Sequence, residues 1–369
     1  MEIKELKASD IKTFINSKEF LKMEDIPISS IRALSHIANP RLQENDVILL
    51  LAYIDGVFGG YLGALPDSIF FDKKEHHVAW LSCLWVSSKM RRKGVAVKLL
   101  SRANQLWKSQ LLITNFTPQA KGSYDKLNVF TELKTFNGVR GYMKMDLHRL
   151  QPNKDPKYNK IKFLLHIFDF SSNLLIGIRL WLIKHKYAVK DLSVEFVDSI
   201  DNELKLFIER NNSHELTKRT SADLNWITKY PWLSETEINE GEAAKYEFSS
   251  VAKEFKLQNI KIYDKNKQLI AFVMMHIRNK HLKIPYVYFL HYNIDSLVKL
   301  IYNIMLKQNL SMLSVYNSKI TEYISGHASP FFLKRKINRT YLIAKTLKSK
   351  IPNFDNISFQ DGDGDSAFT

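Results

Sequence analysis

The chain has 369 residues and a formal net charge of +16, with 45% apolar and 25% charged residues. This length suffices for two domains with separate cores, and the sparse glycine and proline argue against long disordered linkers. The single cysteine, Cys83, excludes an internal disulfide. The positive charge favours anionic partners such as nucleic acid or an anionic membrane surface, unless it only solvates the surface; no RNA-binding signature is visible.

The first part of the chain predicts a strand, two helices and a hairpin. Residues 1–8 read as an edge strand, and the lack of an apolar signal region in residues 1–6 leads us to expect a cytoplasmic protein. Asp10 is the expected N-cap of a helix reaching about residue 23, and Ser29 or Ser30 that of a helix ending at residues 36–38. Asp55-Gly56 between two apolar runs predicts a hairpin.

A strand, a basic turn and a helix follow over residues 77–108. The strand is predicted to end near Val86, and the helix to begin at Val95, with Arg91, Arg92, Lys93 and Gly94 in the turn. Such a turn directs backbone N–H groups and the helix dipole toward one point, which suits a pyrophosphate. The sequence is neither a P-loop nor a dinucleotide fingerprint. A basic turn without a ligand is the alternative.

The spacing in this turn resembles motif A of the GNAT N-acetyltransferase family. Val86 takes the place of the valine that ends the fourth strand, and Arg91-x-x-Gly94-x-Ala96 that of the pyrophosphate loop; Ser88 replaces a frequent proline. Residues 120–130, which carry Tyr124, resemble a second GNAT segment, in which Asn128 replaces glycine and tolerates left-handed backbone. The predicted elements of residues 1–150 follow the GNAT order.

This resemblance implies an α/β (α+β) fold, with a mixed, mostly antiparallel sheet and helices on both faces. It implies acetyl-CoA, or another acyl-CoA, as co-substrate between the fourth and fifth strands, and no metal. The residues expected to bind it are Leu84, Trp85, Val86, Arg91, Arg92, Lys93, Gly94, Val95, Ala96, Asn115 and Ser123.

The resemblance also implies direct attack by an amine in a ternary complex, with Tyr124 protonating the departing thiolate. A backbone N–H near Leu84 or Val86 would bind the thioester carbonyl. The glutamate that many family members carry on the fourth strand is missing here. His77 is therefore the candidate general base, with His76 or a water held by Ser82 as alternatives.

Residues 151–186 are expected to form an apolar helical linker. The run 161–183 approaches the length of a membrane span, but Asp169, Asn173 and Arg179 interrupt it, so we do not expect it to cross a bilayer. A buried or docking pair of helices between domains is one expectation. A segment lying on a membrane surface is the other.

Residues 187–350 predict a second GNAT-like domain. The strands expected at 192–197, 282–290 and 312–316, the helices at 200–211 and 296–306, and the hairpin at 260–275 repeat the GNAT order without its loop. This indicates a degenerate repeat that shapes the acceptor site; an unrelated α/β topology is the alternative. Residues 351–369 are expected to be a flexible acidic tail, because their calcium-like aspartate spacing lacks the later glutamate.

The sequence thus predicts an N-acyltransferase that moves an acetyl or similar group from acyl-CoA to a primary amine of a small metabolite or amino sugar. One alternative is an aminoacyl-tRNA-dependent transferase resembling the Fem family, which the net charge favours and the CoA-type loop opposes. Another is a non-catalytic acyl-CoA-binding protein. Contact with tRNA or peripheral contact with a membrane remains open.

Overall fold

The computed structural model describes residues 1–235, 241–352 and 357–368. The strands are β1 Glu2–Lys7, β2 Val47–Ile54, β3 Val57–Phe71, β4 Lys74–Val86, β5 Leu111–Ile113, β6 Phe130–Tyr142, β7 Ser193–Val197, β8 Ser234–Glu235, β9 Val251–Ala252, β10 Phe255–Tyr263, β11 Leu269–Arg278, β12 His281–Phe289, β13 Met312–Val315 and β14 Leu333–Ala344. The helices are α1 Ala8–Ile15, α2 Lys18–Lys22, α3 Ser30–Ile37, α4 Val95–Leu106, α5 Pro118–Leu127, α6 Leu147–Lys154, α7 Lys162–Ile183, α8 Asn202–Asn211, α9 Ser221–Lys229, α10 Glu242–Lys245, α11 Ile294–Lys307, α12 Ser318–Gly326 and α13 Lys345–Lys348.

The chain forms two compact units from discontinuous segments, whereas the sequence predicts continuous domains. Unit 1 comprises residues 1–135, 198–255 and 339–369, and unit 2 comprises residues 136–197 and 256–338. The exchange follows from strand pairing, because β14 lies beside β5 in unit 1 and β6 lies beside β13 in unit 2. Each unit therefore contains strands from distant parts of the sequence.

In unit 1 the strand order is β1-β2-β3-β4-β5-β14, antiparallel throughout except for the parallel pair β4 and β5. Both faces are covered, because alternate residues of β2 enter different cores. Leu50 and Ala52 join the core formed with α4 and α5, while Leu49 and Leu51 join the core formed with α1, α2 and α3. The predicted mixed sheet with helices on both faces is thus present.

The local signals of unit 1 are largely confirmed. Asp55 and Gly56 form the predicted hairpin turn with φ values of 51° and 76°, and the Ser29 hydroxyl caps α3. The first helix differs from the prediction. It begins at Ala8, and Asp10 is its third residue, whose carboxylate accepts from the Lys7 N–H at 2.9 Å.

In unit 2 the strand order is β6-β13-β12-β11-β10-β7, in which β12 and β13 form the parallel pair. Helix α11 connects that pair, as α4 connects β4 to β5 in unit 1. One core gathers the inward side chains of the sheet with those of α11 and α12, including Met275, Ile301 and Ile320. Unit 2 thus repeats the strand–helix–strand connection of unit 1, while the second GNAT-like domain stays a prediction.

The run expected as a buried helical pair is instead the single helix α7, and most of its apolar side chains are exposed. Phe163 is 73% exposed and Leu175 is 70% exposed. Burial or docking between domains was one of the two expectations, because an apolar run does not reveal whether a partner covers it. Residues 156–187 are long and apolar enough to cross a membrane by length and composition, and almost none of the most apolar window is buried.

The acidic segment 357–368 is packed within unit 1, so the expected flexible tail is wrong for these residues. Asp363 is fully buried and accepts hydrogen bonds from Thr217 Oγ1 at 2.8 Å and Arg219 Nη2 at 3.3 Å. Phe368 stacks on Trp232 with ring centroids 4.4 Å apart. The hydrogen bonds of Asp363 and the stacking of Phe368 together offset the free-energy cost of ordering this segment.

Candidate active site

The turn between β4 and α4 leaves the helix N-terminus open to an anion. Gly94 is the N-cap with a φ of +79°, no side chain caps the helix, and its first turn carries no acidic residue. The N–H groups of the first helical residues, Val95 to Val97, therefore have no partner within the helix. The side chains of Arg91, Arg92 and Lys93 are exposed beside them. This geometry suits a phosphate or pyrophosphate.

Strand β4 separates from β5 immediately before this turn. Their parallel pairing ends at Leu81 and Ile113. Cys83 has a φ of +54°, and the register of β4 against β3 shifts between Tyr61 and Gly63, which together mark a β-bulge. A bulge leaves one residue outside the ladder of hydrogen bonds. The bulge lies where β4 and β5 separate, so it suits a ligand that hydrogen-bonds to backbone at this gap.

The predicted donor-binding residues of β4 and α4 lie together around this turn. Leu84, Trp85 and Val86 are half-buried after the bulge, Val95 is buried, and Ala96 is half-buried. Strand β4 and the start of α4 lie so close to β3 that position 60 of β3 requires glycine. A Cβ atom there would lie 2.6 Å from the Trp85 carbonyl oxygen and 3.2 Å from Val95 Cγ1.

Tyr124 is buried in α5, and its ring meets Phe116 and Phe130 edge-on at centroid distances of 6.0 and 5.8 Å. Burial raises the pKa of its hydroxyl, and Asp365 and Cys83 raise that pKa further. The helix ends at Asn128, which adopts the predicted left-handed conformation with a φ of 55°. Tyr124 therefore remains protonated and can act as an acid. Ser123, its neighbour on α5, is half-buried.

Asn115, which follows β5, contacts the segment 357–368. Its side-chain NH₂ donates to Ser366 Oγ at 2.7 Å and to Asp365 Oδ1 at 3.3 Å. Gly364, with a φ of +77°, fits so tightly that a Cβ atom would lie 2.7 Å from Thr114 Cγ2. Asp365 is partly exposed, and desolvation raises the pKa of its carboxyl group. A carboxylate thus lies at the end of β5, and its charge acts on the hydroxyl group of Tyr124.

Arg32 of α3 supports the bulge from within unit 1. It is 5% exposed, its guanidinium lies 3.7 Å from the centre of the Trp232 ring, and it donates to Ser82 Oγ at 2.7 Å and to Cys83 Sγ. Among the residues that the structure describes, no carboxylate lies within ion-pair distance of it. Desolvation lowers its pKa, but the interactions with Cys83, Tyr246 and Asp365 raise the pKa overall. A permanent positive charge therefore lies beneath the bulge.

The structure does not bring His77 to this site. His77 precedes Val86 by nine residues on the same strand, a separation of about 30 Å for extended backbone. Its Nε2 atom contacts Asp46 Oδ1 at 2.9 Å, and its ring lies 5.3 Å from that of Trp107. The alternative His76 stacks on Phe71 at 3.7 Å, also at the start of β4. Ser82 does lie at the bulge, where its hydroxyl accepts from Arg32.

Arg32 and Asp365 are the site residues that sequence reasoning missed. Arg32 carries no local signal beyond a charge within an apolar helix, and Asp365 lies in a run that reads as solvated. The one available signal was the apolar end of that run, Ala367 and Phe368, which needs a core to contact.

A group of potential metal ligands lies in unit 2, among the residues described there. The ligand atoms of Asp146, His148 and Asp169 lie within 4.8 Å of one another. His148 Nδ1 contacts Asp169 Oδ2 at 2.8 Å, and Arg149 pairs with Asp146. Each of the two carboxylates thus already has a protein side chain as its partner.

Comparison with known proteins connects this geometry to a family. Residues 16–120 match the model of the acetyltransferase (GNAT) family, and no curated protein matches the sequence. Similar solved structures include a probable N-acyltransferase of unknown function from Enterococcus faecalis, at 10% identity and a TM-score of 0.50, covering 93% of this chain and 73% of that one.

A GCN5-related N-acetyltransferase from Anabaena variabilis has 10% identity and a TM-score of 0.50, covering 92% of this chain and 71% of that one. An N-myristoyltransferase from Saccharomyces cerevisiae with bound myristoyl-CoA has 9% identity and a TM-score of 0.48, covering 93% and 78%. At such identities the first two show the fold alone. The predicted GNAT fold is confirmed, and the match to the GNAT acetyltransferase family lies within residues 16–120.

Proposed function

We propose that this protein transfers an acetyl or similar acyl group from acyl-CoA to a primary amine of a small metabolite or amino sugar. The observation that carries the proposal is the uncapped N-terminus of α4 behind Gly94, within the residues that match the GNAT family. It combines free N–H groups, three exposed basic side chains and the gap between β4 and β5. This combination suits a long ligand with a pyrophosphate at one end.

In the proposed complex, the N–H groups of Val95 and Ala96 bind the pyrophosphate, and Arg91, Arg92 and Lys93 add positive charge. The backbone of residues 84–86 lines the pantetheine arm, and Asn115 and Ser123 flank it on the side of β5 and α5. The thioester then lies near the bulge at Cys83. A free backbone N–H and the charge of Arg32 would there stabilise negative charge on the carbonyl oxygen.

Transfer proceeds by attack of the amine nitrogen on the thioester carbon, which forms the C–N bond and breaks the C–S bond. Tyr124 gives its proton to the departing sulfur. We assign Asp365 as the general base that accepts the proton lost by the attacking amine, because its partly exposed carboxylate lies at the end of β5 and its pKa is raised. His77 has no part in this proposal, since it lies at the far end of β4.

The binding step is tested by calorimetric titration of the purified protein with acetyl-CoA. Gly94→Asp places a negative charge at the expected phosphate position. We expect saturable micromolar binding for the unaltered protein and affinity at least about 30-fold weaker for the variant, from a repulsion of about 2 kcal/mol. The matched control is Gly56→Asp, which has the same charge and a similar φ, +76°, in the β2–β3 hairpin.

Gly56→Asp is expected to bind acetyl-CoA normally, even if it costs some stability. If the unaltered protein and Gly94→Asp bind acetyl-CoA with equal affinity, the phosphate does not bind at this turn. A folded protein that does not bind acetyl-CoA would overturn acetyl transfer. Titration with longer acyl-CoA molecules and with aminoacyl-tRNA would then distinguish the remaining donors.

A further inference from the structure

Helix α7 exposes a broad apolar surface in unit 2. Its 22 residues give a length of about 33 Å. Its exposed large apolar side chains are Phe163, Leu164, Ile167, Phe168, Phe170, Leu174, Leu175, Ile178, Trp181 and Leu182, each 49–73% exposed. A contiguous apolar surface of this extent marks an interaction site rather than ordinary protein surface.

The exposed apolar side chains occupy one continuous arc of about 160°, at 100° per residue. The opposite side of the helix carries the positions that pack on unit 2, such as Ile176 and Leu180. Ser171 is the polar residue within the arc, and its hydroxyl donates to the carbonyl oxygens of Ile167 and Phe168 at 3.0 and 3.1 Å. The hydroxyl group of Ser171 is therefore satisfied within the helix, as a hydrocarbon surrounding requires.

The polar residues that interrupt the apolar run hold the helix on unit 2. Asp169 accepts from the backbone N–H of His148 at 2.9 Å, and Asn173 donates to the Met145 carbonyl at 2.9 Å. Arg179 donates to the Pro330 carbonyl at 2.8 Å. Crossing a bilayer would break these bonds and place the Asp169 carboxylate in hydrocarbon, which strongly disfavours a charged group. The contacts favour a helix that lies on a surface.

Positive charge flanks the arc at both ends. Lysines stand at positions 157, 160 and 162 before or at the start of the helix, and at 184, 186 and 190 after it. Between residues 156 and 190 the acidic residue is Asp169, which is buried on the packed side. Lys184 Nζ lies 5.9 Å from the centre of the Trp181 ring. Lysines and tryptophan around an apolar face complement anionic lipid headgroups.

We propose that α7 binds the surface of an anionic lipid bilayer, with its axis parallel to the membrane plane and its apolar arc among the upper acyl chains. The lysines at both ends then contact the headgroups, while Asp169, Asn173 and Arg179 keep the helix attached to unit 2. The width of the arc, the satisfied Ser171 hydroxyl and the flanking lysines carry this choice of partner. The inference is independent of the proposed acyl transfer.

The test is sedimentation of the full chain with vesicles of phosphatidylcholine, with and without phosphatidylglycerol. We expect binding to the anionic vesicles that weakens as salt is raised. The triple variant Phe163→Ser/Phe170→Ser/Trp181→Ser removes three exposed side chains from the arc. We expect its bound fraction to fall at least about 10-fold, because most of the transfer free energy is lost.

The matched control is Phe196→Ser/Tyr292→Ser, which alters two side chains of unit 2 that are 57% and 74% exposed outside α7. It should bind vesicles as the unaltered protein does. Lys184→Glu/Lys186→Glu should weaken binding to the anionic vesicles only. Failure of the unaltered protein to bind anionic vesicles, or unchanged binding of the triple variant, would overturn the proposal.

Sedimentation velocity without lipid tests the main alternative, in which a second copy of the chain covers the arc. A dimer that the triple variant abolishes, together with no vesicle binding, would assign the arc to a second copy of the chain and overturn the lipid assignment. A monomer that binds anionic vesicles supports it.

Discussion

The two units contain the same junction between a strand and a helix, and only one of the two suits a phosphate. In unit 1, Gly94 precedes α4, whose first turn has no acidic residue. In unit 2, the residues between β12 and α11 include no glycine, and Asp295 lies in the first turn of α11. Its carboxylate accepts from Lys299 at 2.8 Å and from Tyr323. The fold supplies the helix N-terminus, and the turn sequence decides whether an anion can use it.

Unit 2 nevertheless retains a hollow at this place. A cavity of about 540 Å³ is lined by Phe289, His291, Ile294, Lys319, Glu322, Tyr323 and His327. Desolvation and the hydrogen bond to Asp295 raise the pKa of Tyr323 to about 12. The carboxylates of Asp295 and Glu322 oppose a pyrophosphate there. We therefore propose that unit 2 lacks the donor site, and the three predictions below test that contrast.

The largest expected effect is that of Asp365→Asn. Loss of the general base should lower kcat about 1000-fold with little change in acetyl-CoA affinity, whereas Asp295→Asn in unit 2 should leave kcat unchanged. Because the base acts when deprotonated and its pKa is raised, activity should fall as pH falls through that raised pKa. Steady-state kinetics across pH would measure both effects. If the activity of Asp365→Asn falls at low pH just as that of the unaltered protein does, the general base is another group.

Tyr124→Phe should lower kcat about 100-fold, since it removes the proton for the departing sulfur. Binding of acetyl-CoA, measured by calorimetry, should be unchanged, because the ring and its packing remain. Tyr323→Phe, at the corresponding helix of unit 2, is the control and should retain full activity. If Tyr124→Phe is fully active, the acid is another group. If neither the unaltered protein nor Tyr124→Phe transfers acyl groups, yet both bind acetyl-CoA, the chain is a binding protein.

The smallest expected effect is that of Lys93→Ala, which removes one exposed charge beside the turn. The Kd for acetyl-CoA should rise about threefold at low salt and by less at high salt, because exposed charges are screened. Lys319→Ala, at the cavity of unit 2, should leave the Kd unchanged. A larger effect of Lys319→Ala than of Lys93→Ala would place the donor in unit 2 and reverse the comparison.

Sequence reasoning succeeded where the determining interactions are local. The left-handed backbone at Asn128, the Ser29 cap and the Asp55-Gly56 turn each depend on a few neighbouring residues. It did not identify Asp365, because the ordering of that segment depends on partners far away in the chain. Asp363 binds a residue 146 positions earlier, Thr217.

The exposure of α7 was likewise beyond the sequence, since the same apolar run fits a buried helix. Asp169 and Asn173 led us to expect a helix that does not cross a bilayer, and this stays a prediction. What the run could not show is that these polar residues face unit 2 while the apolar arc remains uncovered.

The placement of β14 beside β5 has a consequence for the order in which the protein is made. Residues 1–135 leave the ribosome before β14 and the segment 357–368 exist, an interval of about 10–40 s at roughly 5–20 residues per second. Both segments of unit 2 emerge by residue 338. Unit 2 can therefore fold first. During this interval Trp80 and the edge of β5 in nascent unit 1 stay uncovered and accessible to chaperones.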